Sequence, residues 1–256
     1  MSLKKLIHFS SQSFLAQYSE LVDLKNQIEI LTNTTHETPA QMLKKNYDII
    51  ELAAGDFDQF KPLLPTLDLR TSRFGVADTL IKYKNDYRPM HLLSESIYKA
   101  ILLKVPDLKT SESAVVIGDY DFVLAVTYKL AQSGFANIII ATSKNIDAEK
   151  IKKLIMNYAF SIQIATVPLN ELTQLESGSV MLISNLSKKV NPEAYESLTY
   201  FNFLSRGAAF VDLNSRNEPI LAEEARRAEI IVIEESEILR IKYESILELF
   251  KNSSLV

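Results

Sequence analysis

The sequence predicts an α/β protein: an N-terminal α/β unit followed by a doubly wound parallel sheet. Three observations predict it. The stretch from Ser113 to Lys144 reads as apolar run, glycine, amphipathic helical pattern, glycine, apolar run, which is a β-α-β unit with strands buried on both faces. Short apolar runs then alternate with helical patterns to the end of the chain, as a parallel sheet requires. The first hundred residues show the same alternation on a smaller scale. At 256 residues the chain has room for one large domain or two small ones.

Each element has its own local reason. Leu3 to Phe9 is a short strand. Ser13 is placed to cap a helix from Phe14 to about Lys25, since a hydroxyl there satisfies orphan N–H groups. Gln27 to Thr32 is a second strand, Pro39 opens a helix through Lys45, and Tyr47 to Ala53 is a third strand. Phe57 to Leu64 is a short helix stopped by Pro65, and Asp78 to Tyr83 is a strand ending in an Asn85-Asp86 turn. Leu92 to Leu103 is helical until Pro106.

In the second half, Ala114 to Ile117 is a buried strand ended by Gly118. Phe122, Ala125, Val126, Leu130 and Ala131 share one helical face, Gly134 stops that helix, and Asn137 to Thr142 is the next strand. Helices follow over Asp147–Tyr158, Leu169–Leu175, Ala222–Arg227 and Ser236–Phe250, and Pro192–Phe203 is a helix or a loop and helix. Strands fall on Ser161–Val167, Val180–Ser184, Ala208–Leu213 and Glu229–Ile233. Tyr195, Tyr200, Phe201 and Phe203 are read as core, and Glu223 is four residues from Arg227, a helix-face ion pair.

Composition removes several function classes. Hydrophobic content of 47% and charged content of 23% suit a soluble globular chain. A net charge of −4 without a basic block gives no nucleic-acid footprint. There is no cysteine, hence no disulfide, thiolate metal site or cysteine nucleophile. His8, His36 and His91 are far apart in sequence, so no metal site is readable. No apolar run approaches spanning length and no secretory signal is legible after Met1. The expectation is a cytoplasmic protein with no membrane or nucleic-acid partner.

The turn after the Ala114–Ile117 strand is where a dinucleotide pyrophosphate would rest on a helix N-terminus. It is poorly made for that purpose. Tyr120 stands where a second glycine should let the backbone approach the phosphates, and Asp119 and Asp121 flank it with negative charge. Asp121 has a ready structural role as a helix cap. Thr142, Ser143 and Lys144 form the next strand-to-helix loop. No acidic residue is present there to hold a free ribose 2′-hydroxyl, so NADP would be preferred to NAD if either bound.

Several strings resemble shikimate dehydrogenases over nearly the whole chain. Pro62-Leu63-Leu64 matches that family's P-L-L, and Gly75, Asp78 and Thr79 match G-x-x-N-T. His91 to Ile97 falls on N-T-D-G-x-G-F, and Ser11-Gln12-Ser13 looks like the S-x-S that holds the substrate carboxylate. Phe210-Val211-Asp212-Leu213 with Pro219-Ile220-Leu221 resembles the V-D-x…T-x-L-L segment. The resemblance implies a substrate-type domain over residues 1–104, a Rossmann-like domain over 105–235, and a closing helix over 236–256 that returns to the first domain. It implies a substrate-like cleft drawing on Ser11, Ser13, Asp78, His91 and Lys242, and weak cofactor contacts at Gly118, Thr142, Ser143 and Lys144.

The family's chemistry is missing from these positions. Its catalytic lysine falls on Phe57 and the partner aspartate on Leu93, and neither side chain can carry a proton. The N-V-T threonine falls on Ala53, and the N-x-T-P segment under the nicotinamide falls on Ser184, Leu186 and Ser187. The glycines before the closing helix become Glu235 and Glu237, and the substrate-binding glutamine becomes Lys242. The expected protein is therefore a pseudoenzyme with no catalytic residues and no cofactor (NADP if any), serving a binding or regulatory role toward a small molecule or a protein. A homodimer is compatible with it. The competing readings are an NADP-linked shikimate- or quinate-type dehydrogenase using His91, Lys61 or Tyr98 as its acid/base, and a scaffold without a small ligand.

Overall fold

The computed structural model describes residues 4–11, 28–34, 36–45, 47–65, 74–159 and 161–253. The expected helix over Phe14–Lys25 and the expected cap Ser13 lie outside them. The fold divides into two compact units, one holding the residues up to Ser96 and those from Leu239 onward, the other Ile97–Ile238.

The first unit is built on a five-stranded sheet in the order β2-β1-β3-β4-β5. Strands β1 (Lys4–His8), β2 (Ile28–Thr32) and β3 (Ile49–Glu51) are parallel. Strands β4 (Thr79–Tyr83) and β5 (Asp86–Met90) add an antiparallel hairpin. Helix α1 (Pro39–Lys44) starts with a capping box: the Gln41 N–H donates to Thr38 Oγ1, and the Thr38 N–H donates to Gln41 Oε1 at 2.8 Å. Helix α2 (Phe57–Phe60) passes into a 3-10 turn over Lys61–Leu63, where the sequence suggested one continuous helix. One face of the sheet packs Ile7, Ile50 and Leu80 with Phe57 and Phe60. The other packs Leu6, Ile49 and Ile81 with Leu239, Tyr243 and Ile246 of the last helix.

The second unit holds a six-stranded, fully parallel sheet in the order β11-β10-β9-β6-β7-β8. The strands are β6 (Ser113–Gly118), β7 (Asn137–Thr142), β8 (Gln163–Thr166), β9 (Ser179–Ser184), β10 (Leu204–Asp212) and β11 (Ile231–Ile233). Counted from β6 this is the doubly wound order 3-2-1-4-5-6, whose winding reverses between β6 and β9. Ala114 to Ile117 are wholly buried, as a central strand covered on both faces requires.

The covering helices begin with α3 (Leu92–Lys104), which starts in the first unit, and continue with α4 (Tyr120–Gln132), α5 (Asn145–Met156), α6 (Pro192–Leu198) and α7 (Ile220–Arg227), with a 3-10 turn over Leu169–Gln174. The last helix, α8 (Glu235–Ser253), ends in the first unit. Tyr195, Phe201 and Phe203 are core, whereas Tyr200 is 74% exposed. Arg227 pairs with Glu224 at 2.6 Å, and Arg226 with Glu234, in place of the Glu223–Arg227 pair expected from spacing. No helix among the described residues is long and apolar enough to cross a membrane.

Candidate functional site

In open α/β sheets, ligands bind outside the carboxyl ends of the strands, at the point where the winding reverses. In the second unit that point lies between Gly118, ending β6, and Asn185, following β9. Gly118 has φ +150°, and the space beside its Cα is taken by the Asn185 amide: a Cβ on residue 118 would lie 1.6 Å from Asn185 Oδ1. The Asp119 N–H donates to that oxygen at 3.1 Å, and Asn185 Nδ2 donates to Asp119 Oδ2 at 3.3 Å. Asp119 is thus the N-cap residue of α4, in place of the expected Asp121, and its side chain makes no capping bond.

Asn185 is pinned by its own backbone. Its N–H donates to the Ile117 carbonyl at 3.2 Å, and Asn214 Nδ2 donates to the carbonyls of Asn185 and Leu186 at 2.9 and 3.1 Å. Asn214 is itself oriented by its N–H to Asp212 Oδ1, 2.9 Å. Burial pushes the Asp212 carboxyl up to about 7. The free space left beside the Gly118 turn is ≈ 60 Å³, room for a few waters. The residue filling the space beside Gly118 is Asn185, and Asp119 and Asp121 stand in the same turn.

Beyond this turn lies a larger cavity of ≈ 480 Å³, lined by Thr142, Ser143, Asn145, Asn170, Asn191 and Glu193 together with Pro168, Leu169, Val190, Pro192 and Ala194. The Thr142 hydroxyl donates to the Lys144 carbonyl at 2.7 Å, holding the loop. Lys144 is exposed and is not among the lining residues.

In the first unit three of the expected cleft residues, Asp78, His91 and Lys242, come together, but on one another. Lys242 of α8 is completely buried. Its Nζ lies 2.5 Å from Glu51 Oε1, at the end of β3, and 3.2 Å from Asp78 Oδ2. The Thr79 hydroxyl lies 3.1 Å from Glu51 Oε2 and 2.7 Å from Asp78 Oδ1. Asp78 accepts the first N–H groups of α3, from Leu92 at 2.8 Å and Leu93 at 2.7 Å. It therefore caps that helix while neutralising the lysine.

Burial raises Asp78, but Lys242, then His91, Thr79 and the Leu93 N–H outweigh it and hold the carboxyl down at about 2. Glu51, with fewer hydrogen bonds, is pushed by burial up to about 7 in spite of Lys242. Burial lowers Lys242 itself, and the two carboxylates reverse that and hold it above its ordinary value. His8, ending β1, is lowered to about 4 by burial and by Lys242.

His91 lies at the start of α3, with Nδ1 3.7 Å from Asp78 Oδ2. The Ser94 N–H donates to that nitrogen at 3.3 Å, so the ring has a capping role. Ser11 is exposed in the turn after β1. The sequence reading missed Glu51, Asn185 and Glu193. Lys242 did carry a signal: it lies at i+4 from Ile238 and i−4 from Ile246, both fully buried, and so on the inward face of the helix.

The doubly wound sheet, the mixed five-stranded unit and the returning last helix together define the class: a two-unit α/β fold with one doubly wound sheet. Within that class the fold is the one shared by shikimate and quinate dehydrogenases. The structure of quinate dehydrogenase from Corynebacterium glutamicum in complex with NAD superposes with a TM-score of 0.71 at 14% identity, over 94% of this chain and 93% of that one. Shikimate dehydrogenase of Mycobacterium tuberculosis gives 0.68 at 13%, over 98% and 94%. The Thermus thermophilus enzyme in complex with NADP(H) and shikimate gives 0.65 at 13%, over 94% and 90%. No protein-family model matches the sequence, and no curated protein matches it.

Proposed function

We propose that this chain is a non-catalytic member of the shikimate dehydrogenase group, using the inherited fold for binding or regulation. The observation that carries the reading is the Asn185 amide seated against Gly118, which offers the Asp119 N–H the acceptor oxygen that a cofactor phosphate would otherwise supply. Its support comes from the first unit. Lys242, standing where the resemblance puts a substrate-binding glutamine, spends its charge on Glu51 and Asp78 and is closed to solvent. Phe57, at the position of the family lysine, is packed with Ile50, Leu52 and Phe60.

The test is turnover by the purified chain with NADP and shikimate, NAD and quinate, and NADPH and dehydroshikimate. No hydride transfer above a contaminant control is expected. Sustained turnover that survives repurification sinks the reading. The competing reading, an NADP-linked dehydrogenase with rearranged groups, draws support from neighbours solved with NAD or NADP. It needs an ionisable group free to exchange protons, and its first candidate, His91, is engaged by Ser94 and Asp78.

A further inference from the structure

A buried carboxyl stands behind the Asn185 seat, and an unbroken run of hydrogen bonds joins the two. Asp212 ends β10 and is closed to solvent. Its Oδ1 accepts the Asn214 N–H at 2.9 Å. The Asn214 amide donates in turn to the Asn185 and Leu186 carbonyls, at 2.9 and 3.1 Å. Asn185 then offers its side-chain oxygen to the Asp119 N–H beside Gly118. What happens at Asp212 is therefore felt at the turn.

The far side of that carboxyl is incomplete. Among the described residues, Asp212 Oδ2 is buried with no hydrogen-bond partner, and so is the hydroxyl of Ser215 in the same loop. No cation stands on Asp212 among those residues either. Its titratable neighbours are Glu218 of the loop and Tyr195 of α6, whose hydroxyl is spent on the Glu218 carbonyl at 2.7 Å. From β9 it faces Ser184, whose Oγ accepts the Leu186 N–H at 3.1 Å. The bases around it pair with other acids: Lys188 with Glu196, Arg226 with Glu234 and Arg227 with Glu224. Arg216 and Glu223 are exposed. Burial pushes the Asp212 carboxyl up and the Glu218 charge adds to this, against the pull of the Asn214 N–H.

With its proton on, Asp212 is a neutral group and the interior tolerates it. Losing the proton leaves a charge with one bare oxygen in a site without a cation, and such a charge draws water. The route for water is the loop over residues 213–218, which is exposed at Arg216 and Asn217. Opening that loop moves Asn214, whose N–H and side-chain amide are both links in the run. We propose that Asp212 is a proton-operated latch: protonated, it holds Asn214 and Asn185 against the Gly118 turn; ionised, it hydrates the loop, unseats Asn185 and opens the turn. The closed form is favoured below the folded-state midpoint and is lost as pH rises through it. The device acts whether or not the chain turns over a substrate, so it stands apart from the non-catalytic reading.

The experiment is amide hydrogen exchange of the full chain, followed by NMR at pH 6 and pH 8 and expressed as protection factors, which removes the intrinsic pH dependence of exchange. The Asn185 N–H, bonded to the Ile117 carbonyl, and the Asn214 N–H are the reporters. Their protection should fall about tenfold between the two pH values, the change that release of one proton at a midpoint near neutrality produces. The N–H groups of Val115 and Val116 in the buried strand β6 should not change. In Asp212→Asn the reporters should be equally protected at both pH values. In Glu218→Gln the loss should move to lower pH, because a charge that favours the protonated carboxyl is gone; this variant decides the matter if Asp212→Asn does not fold. Protection in the native chain that is independent of pH overturns the proposal. So does a loss that persists in Asp212→Asn, or one whose midpoint Glu218→Gln leaves in place. None of these results bears on turnover.

Discussion

Replacing Lys242 by methionine tests the buried charge cluster most directly. Methionine keeps the length of the side chain and removes the ammonium that lies 2.5 Å from Glu51 and 3.2 Å from Asp78. Two carboxylates then remain buried without a cation. Asp78 retains two α3 N–H groups, so it stays ionised, and the burden falls on Glu51, which has only the Thr79 hydroxyl, whose single proton it shares with Asp78. Removing one partner of a buried pair costs about 3–5 kcal/mol because the other charge is stranded. For a chain of this size that lowers the melting temperature by roughly 6–20 °C.

The assay is thermal and urea unfolding of the full chain at pH 5 and pH 8. Glu51 should take up a proton in the variant, so the loss should be smaller at pH 5 than at pH 8. The double variant Lys242→Met, Glu51→Gln should recover most of it. A loss below about 1 kcal/mol at pH 8, or a double variant no more stable than Lys242→Met alone, refutes the reasoning.

Three further outcomes are expected. Asn185→Ala should lose about 1–2 kcal/mol of stability from its hydrogen bonds, yet show more thermal stabilisation by NADP than the native chain; no gain means that Asn185 is not what closes the turn. Glu51 and Asp212 have carboxyls raised to about 7 from ordinary values of 4.5 and 3.8. Their stabilisation is complete below about pH 4 and is lost as pH rises through 7, while His8, lowered to about 4, opposes them between pH 6.5 and 4. Asp212→Asn should therefore flatten the melting profile between pH 4 and 7, and an unchanged profile would count against a protonated Asp212. Phe57→Lys should not restore activity but should destabilise the first unit by about 3 kcal/mol or more, measurable by urea unfolding; a stable variant would place Phe57 outside the core.

The parallel sheet was readable because its strands are buried on both faces, so apolar runs such as Asn137–Thr142 coincide with the observed strand. β5 was not. Asp-Tyr-Arg-Pro-Met carries a proline and two charges, which an edge strand tolerates, and only Tyr87 and Pro89 face inward. The first half of β10, with its register shift between Leu204 and Ala209, was hidden by Arg206 and Gly207 in the same way. At the site, the apolar side chains of Phe57 and Leu93 and the acidic turn were legible as residue types. The seat of Asn185 was not, because it depends on β9 lying beside β6, a neighbourhood 67 residues apart that no local pattern encodes (118 to 185). The pairing of Lys242 with Glu51 spans 191 positions and was invisible for the same reason.

That long span dictates an order of assembly. A chain made from its amino end exposes Leu6, Ile28, Ile49 and Glu51 early, yet Leu239, Lys242, Tyr243 and Ile246, which complete that core and balance its charge, are synthesised much later. The Ile97–Ile238 unit, by contrast, contains all its own strands. The amino-terminal unit must wait, its carboxylates hydrated, until α8 emerges.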